Sequence, residues 1–368
     1  MKILYYFLEL QTPMYAWQRY HFINELSYSD ITFNIFNPLY FPNIEEANTA
    51  LIKEARKGIY DLFFTCMNSR YIFPETICEL KRMGLPTLLV CWDNLELPYL
   101  HKKIAPLFDV VWLTSHETQS LFEKWGCNHI VFQTYAANPI LYNPKWKQPI
   151  WNLGFIGSPY GSRINKINEL LAADIPCALY SDSLFQKGYN TSQGKIYKYN
   201  FKDLVIKSSR YLRFEIGRKV LYSTIKNKIL RYNLLNEKSE YLRKNPSVGN
   251  DEMIALYSNF ALSLNISELR DTYILKIPIH KIHLRTFEIP MSGGLEFTNY
   301  TDELASYFTE DKEIILYKNH EEMIDKAKYY LNEKRETIIM KMKQAARRRA
   351  ESEHTWTNRF DKVFLKFK

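Results

Sequence analysis

The first 137 residues alternate short apolar runs with amphipathic stretches. Runs at 2–8 (KILYYFL), 31–36 (ITFNIF), 61–67 (DLFFTCM), 86–92 (PTLLVCW), 109–115 (DVVWLTS) and 129–136 (HIVFQTYA) have the length and composition of buried strands. Between them YAWQRYHFINEL, IEEANTALIKEARKG, PETICELKRMG and HETQSLFEKWG carry helical spacing. The last three stop at Gly58, Gly84 and Gly126, as helices commonly do. Nearly continuous apolar strands alternating with helices predict a parallel sheet covered on both faces, so 1–137 reads as a doubly wound α/β domain.

Proline-rich, aperiodic sequence follows, and 138–149 reads as a linker. A second α/β pattern covers 150–345. Its strands are WNLGFIG (151–157), PCALYSD (176–182), ALSLNIS (261–267), LEFTNY (295–300) and EIILYK (313–318). Its helices are SRINKINELLAAD, DEMIALYSNF and HLRTFEIPMSGG, and the chain from 320 to 356 reads as helix almost throughout. Residues 346–368 are expected to form a helix crossing back to the first domain. Parallel sheets bind ligands beyond the carboxyl ends of their strands. Two such domains facing a central cleft would place a donor and an acceptor on opposite sides of it.

Charge sharpens this picture. The net charge is +9, yet residues 195–244 hold 14 Lys/Arg against 4 Asp/Glu, leaving the rest of the chain slightly acidic. The segment reads as a basic helical insertion in the second domain and as one docking face. Within it Leu204, Ile206, Leu212, Ile216, Val220, Leu221, Ile225 and Ile229 recur at helical spacing among the cations. Such a stripe either faces a core or adsorbs to an anionic membrane surface. The five cysteines have neither ligand spacing nor a CxxC pair, which points to a reduced compartment without a zinc site. The opening residues lack a signal-peptide core, and no window is apolar over the roughly 18 to 20 residues of a spanning helix. A cytoplasmic location, peripheral on the inner membrane face, is therefore expected.

The loop after the first strand, LELQTPMY, holds no glycine, which disfavours a dinucleotide fingerprint. Neither GxxxxGK[ST] nor GxSxG occurs, removing P-loop and common hydrolase readings. No DxD follows a strand, so no metal site is expected; phosphate charge would be balanced by Arg, Lys and a helix dipole.

The run RTFEIPMSGGLEFTNYTDELASYF (285–308), followed by EIILYK, a YYL helix and RRRAESEHTWTNR, resembles the C-terminal half of CgeB-like glycosyltransferases. FIGSPYGSR (155–163) fits the same pattern, and CWDN (91–94) more loosely. The resemblance implies a GT-B fold of two Rossmann-like domains and transfer of a sugar from a nucleotide-sugar donor, a UDP-, GDP- or dTDP-sugar, without further cofactor. The acceptor would be a saccharide or lipid-linked saccharide, as in cell-surface polysaccharide synthesis.

In that family the Glu of the FE helix binds the ribose hydroxyls, which assigns Glu288. A carboxylate suits a vicinal diol, since it accepts two hydrogen bonds at once. A plain alternative is a surface Glu pairing with Arg285, three residues earlier. Lys281, His280, Arg285, Arg163 and Gly157 are the further donor-site residues, the cations pairing with a diphosphate near a helix N-terminus. Many retaining GT-B enzymes carry Glu eight residues before the ribose Glu; here it is His280, so stereochemistry is not carried over. For the general base, Asp93 after the fourth strand and Glu9 after the first are the catalytic candidates. His116, also at a strand end, is a further candidate or else a cap-region side chain opening a helix, and His354 reads as structural. Competing readings are an idle sugar-nucleotide-binding scaffold and a polyanion-binding protein. The segment lacks RNA-binding signatures, so no nucleic-acid partner is expected.

Overall fold

A computed structural model describes residues 1–10, 13–185, 208–230 and 234–367. Two compact units emerge: Met1–Leu141 together with His354–Lys368, and Tyr142–Glu353.

In the first unit, β1 (Lys2–Tyr6), β2 (Thr32–Phe36), β3 (Leu62–Thr65), β4 (Thr87–Cys91), β5 (Val110–Leu113) and β6 (Ile130–Phe132) pair in the order β2-β1-β3-β4-β5-β6. Every pairing is parallel, as the apolar runs predict. Helices α1 (Pro13–Gln18, continued by a π-turn to Leu26), α2 (Ile44–Ala55), α3 (Pro74–Arg82) and α4 (Gln119–Lys124) connect the strands. Gly58 and Gly84, just past α2 and α3, have φ of +66° and +76°, the left-handed geometry that lets the chain turn back to the sheet.

The helix Trp356–Phe364 completes this unit. The Phe360 ring lies 5.2–6.0 Å from those of Phe22, Phe33, Phe64 and Trp112. Trp356 meets Phe22 and Trp92 at 5.6 and 5.9 Å. Much of the chain's aromatic content thus serves one core. Glu25 fixes the start of this helix by accepting the N–H groups of Trp356 (3.1 Å) and Thr357 (2.7 Å). Buried His354 accepts from Arg359 Nη2 at 3.0 Å and is part of the same framework.

The second unit runs β7 (Ile150–Ile156), α5 (Ser162–Ala172), β8 (Cys177–Tyr180), α6 (Glu215–Ile229), β9 (Leu242–Asn245), α7 (Asn250–Asn259) and β10 (Phe260–Leu264). It continues with α8 (Arg285–Met291), β11 (Glu296–Asn299), α9 (Asp302–Tyr307), β12 (Ile315–Tyr317), α10 (His320–Tyr330) and α11 (Glu336–Glu353). The parallel order β12-β11-β10-β7-β8-β9 reverses direction between β7 and β10. Loops leaving those two strands diverge to opposite sides, which opens a crevice at their carboxyl ends.

Two expectations need correction. The basic stretch is not helical to its end, because Leu242–Asn245 pairs with β8 as an edge strand. An edge strand bonded on one side needs few apolar residues, so LRKN gave no strand pattern. Residues 186–207 and 231–233 of that stretch lie outside the described residues. The long C-terminal helical pattern is also broken, by a 3₁₀ turn at Glu333–Arg335 where Asn332 accepts the Lys334 N–H at 3.0 Å. All five cysteines are unpaired thiols.

Helix α11 carries two buried basic side chains that serve neighbouring helix ends. Lys343 Nζ donates to Ser258 O at 2.9 Å, near the last turn of α7. Arg347 Nη1 donates to Met291 O, the end of α8, and to Tyr142 O at 2.5 Å. Carbonyls at helix C-termini lack intrahelical donors, and a cation there is favourable. Lys343 is fully buried, and burial pushes its amine down to about 7. Above that pH the unfolded chain retains a proton that the folded chain has lost, up to the ordinary lysine value near 10.4. Stability from this group therefore rises with pH between about 7 and 10, by up to about 1.4 kcal/mol per unit. Urea midpoints of wild type and Lys343→Met should shift in favour of wild type as pH rises through that window. A difference constant in pH would mean that the lysine stays charged in the fold.

Candidate functional site

At the switch point of the second sheet, β7 runs out through Phe155 and Ile156 into Gly157. Gly157 has φ of +139°, and a Cβ there would sit 2.4 Å from Arg285 Nη2. The Arg285 guanidinium lies against this backbone, which only glycine leaves room for. Arg163, in the first turn of α5, is 9% exposed and donates Nη1 to Ser158 O at 2.9 Å. Its guanidinium is 4.4 Å from the Tyr160 ring centre and 5.8 Å from that of Phe155. Arg285 is 5.4 Å from the same Phe155 ring.

Two guanidinium groups are therefore gathered around one aromatic side chain. Aromatic faces attract cations but do not neutralise them. Burial, then repulsion from Arg285, hold Arg163 down at about 10. Arg285 Nη1 is buried without a hydrogen-bond partner. Bringing like charges together out of water is costly unless an anion joins them.

Lys281 and His283 belong to the same cluster. Lys281 is buried, and its N–H donates to Ser267 O at 2.8 Å, beyond the end of β10. Burial, then the charges of Lys281, Arg163 and Arg285, hold the His283 imidazole well below its usual range. His283 is thus neutral at neutral pH.

The neighbouring His280 is neutral too, pushed down to about 4 by burial and then by Lys166. Its tautomer follows from its partners. The Ser267 N–H meets Asn299 Oδ1 at 3.3 Å, which orients the Asn299 amide. Asn299 Nδ2 then donates to His280 Nδ1 at 2.8 Å, leaving the ring proton on Nε2. His280 thus offers the site a neutral donor and adds no charge to the three cations Arg163, Arg285 and Lys281. The helix-end expectation changes. Helix α8 has seven residues, and the N–H groups of Thr286 and Phe287 already bond His283 and Leu284 carbonyls. Positive side chains, more than free backbone donors, make the site attractive to an anion.

Glu288 is not the surface residue of the plain alternative. It is 7% exposed, and the Tyr142 hydroxyl donates to its Oε1 at 2.8 Å. Tyr142 is held in turn by Arg347 on its carbonyl. Behind Glu288, Gly293 ends α8 with φ of +76°, and its carbonyl accepts Trp146 Nε1 at 2.8 Å. Gly293 thus serves a structural turn.

A second carboxyl lies beneath α8. Glu296 Oε1 accepts from Asn265 Nδ2 at 2.7 Å, while its Oε2 is buried without a partner. Burial pushes this group up to about 7, with Asn265, Thr286 and Arg285 opposing. Sequence reasoning passed over Tyr142, Glu296 and Asn299. A charged residue near the start of the buried strand LEFTNY was the one available signal; Tyr142 and Asn299 act only through tertiary contacts.

In the first unit, Glu9 and Asp93 follow β1 and β4, two strands apart in the sheet. Glu9 forks onto Arg19, with Arg19 Nη2 donating to Oε2 at 2.9 Å. Asp93 is exposed, and its carbonyl accepts the Glu96 and Leu97 N–H groups in the turn after β4. Asn94 anchors that turn, donating to Ser115 O and Thr118 Oγ1, both at 2.6 Å, and accepting the Thr114 N–H at 3.0 Å. His101, missed in the sequence, is buried, held down at about 4 by burial, and feels the Asp93 charge. His116 is exposed at the 3₁₀ turn after β5.

Residues 209–364 match a family model described as glycosyl transferase-like. No curated protein matches the chain in sequence. Solved structures match it end to end. The Anabaena HepE protein, crystallised with UDP-glucose, is 12% identical with a TM-score of 0.54, each chain covered in full. A sucrose-phosphate synthase of Thermosynechococcus elongatus is 11% identical at TM-score 0.56, over 100% of this chain and 98% of that one. An α-glucosyltransferase in complex with UDP-glucose and DNA is 10% identical at 0.58, again with both chains fully covered. The chain has the GT-B fold, and its residues 209–364 are similar to glycosyl transferase-like domains.

Proposed function

We propose that this protein is a glycosyltransferase, of the CgeB-like group, that moves a sugar from a nucleotide-sugar donor to a saccharide or lipid-linked saccharide. The observation carrying this reading is buried Arg163 paired with half-buried Arg285 beside a buried, tyrosine-held carboxylate at the switch point of the second sheet. A nucleoside diphosphate satisfies both features: its phosphates join the guanidinium groups and Lys281, and its ribose hydroxyls donate to Glu288. The match to a glycosyl transferase-like model and the UDP-glucose complexes of two structural neighbours support the same donor class.

During transfer the bond from the anomeric carbon to the phosphate oxygen breaks, and negative charge grows on the departing diphosphate. Arg163, Arg285 and Lys281 stabilise that charge in a water-poor setting. Three side-chain cations take the place of a metal ion in this scheme, so activity should persist in chelator. His280 Nε2–H, its direction set by Asn299, donates to the sugar or to a phosphate oxygen. The acceptor hydroxyl loses its proton to a base in the first unit. Asp93 is the better assignment there, since Glu9 is engaged by Arg19. A lipid-linked acceptor places the reaction in the cytoplasm at the inner face of the membrane.

Incubation with UDP-, GDP- and dTDP-sugars should give slow donor hydrolysis with one of them; a scaffold that only binds would retain every donor intact. Glu288→Gln keeps an acceptor for Tyr142 while removing the charge. It should weaken nucleoside diphosphate binding by about 10- to 100-fold in calorimetry, the equivalent of one charged hydrogen bond. Equal affinity would remove Glu288 from the ribose. Asp93→Asn should leave donor affinity intact and lower kcat by about 10²- to 10⁴-fold. Turnover at the wild-type rate would transfer the role to another group.

A further inference from the structure

Helix α6 is built inside out. Its buried positions are Gly217, Val220, Ser223 and Asn227, small or polar with one exception. Asn227 ties the helix down, donating to Asp271 Oδ1 at 2.9 Å and accepting from the Tyr273 hydroxyl at 2.7 Å. The opposite line, Arg218, Tyr222, Ile225 and Ile229, recurs at spacings of four, three and four and forms one outward ridge. Tyr222, Ile225 and Ile229 are 57%, 51% and 75% exposed. Of the apolar stripe on this helix, Val220 faces the core, but a core-facing reading does not hold for Ile225 and Ile229.

Cations flank the ridge. Lys219 and Lys226 lie along one side, with Lys226 Nζ 5.8 Å from the Tyr222 ring centre, and Lys228 lies on the other. Across 208–230 six arginines and lysines face a single carboxylate, Glu215, which already pairs with Lys219 at 2.6 Å. Exposed Leu212, Leu230 and Leu234 continue the apolar surface past both ends of the helix. Among the described residues no helix is long and apolar enough to cross a membrane.

We propose that α6 lies in the interface of an anionic lipid bilayer, with Tyr222, Ile225 and Ile229 entering the acyl boundary and the flanking cations on headgroup phosphates. A ridge of this kind sinks about 5–10 Å into that boundary, and each nearby cation adds to adsorption. Nucleic acid would satisfy the cations but offers the isoleucines no apolar medium. A second copy would set one cationic helix against another. The inference deepens the lipid-linked acceptor reading above, but vesicle binding and donor binding are measured separately, so either can fail alone.

The test is co-sedimentation of the full chain with phosphatidylcholine vesicles, with and without phosphatidylglycerol. Binding should require the anionic lipid and fall by about tenfold or more when salt rises from low to well above physiological. Ile225→Ser with Ile229→Ser leaves every charge in place and should lower partitioning by about tenfold or more, since both side chains leave the acyl boundary. UDP affinity and circular dichroism should not change, because both positions face outward. Tyr222→Trp should shift its emission to the blue on vesicles. The proposal is overturned if the chain fails to sediment with anionic vesicles at low salt, or if the double variant binds as wild type does. Tighter binding to duplex DNA or RNA than to vesicles overturns it too, as does a dimer that the double variant abolishes.

Discussion

Like charge held out of water is the constraint on which the donor-side architecture depends. Arg163 and Arg285 both approach Phe155, and Arg285 raises the cost of the Arg163 charge. Their surroundings are consistent with that cost. The two nearby imidazoles are neutral, so neither adds a cation. Gly157 offers backbone and no side chain, and the Ser158 carbonyl accepts from Arg163. Glu296 offsets Arg285 only in part, since burial holds its carboxyl near neutrality. What remains is a preorganised positive field that a diphosphate would neutralise, and preorganisation is what makes such a field effective when charge develops.

The remainder of the second unit keeps that field in place. The reversal of strand order between β7 and β10 brings the loop of Gly157 and the segment of Lys281 to one crevice. Helix α11 then closes the underside: Lys343 and Arg347 satisfy the ends of α7 and α8, and Arg347 also grips the Tyr142 carbonyl. Tyr142 in turn orients Glu288. The carboxylate assigned to the ribose is thus fixed by a chain of contacts that begins on a helix some sixty residues further on.

Legibility in the sequence followed the range of the forces involved. Among the described residues, eleven of the twelve strands stand out as apolar runs because a parallel strand buried on both faces needs apolar residues at nearly every position. The twelfth, LRKN, is an edge strand and carries cations instead. Arg163, Gly157, Lys281, Arg285 and Glu288 were accessible through local motifs, and the fold brings them to one place. Their protonation states were not. That His280 is neutral depends on burial that no motif encodes, and its tautomer on Asn299, nineteen residues away in the chain. The outward turn of Ile225 and Ile229 was equally hidden, since the spacing of the stripe is the same whichever side faces the core.

The central claim is that the cation cluster exists to hold a diphosphate beside a ribose-binding carboxylate. Calorimetry of the wild-type chain with a nucleoside diphosphate, the corresponding monophosphate and the free nucleoside tests this most directly. Affinity should fall stepwise as phosphates are removed, by about tenfold or more at each step, and the diphosphate should bind more weakly as salt is raised. Equal affinity for nucleoside and nucleoside diphosphate, or no binding of any nucleoside diphosphate, would contradict the account.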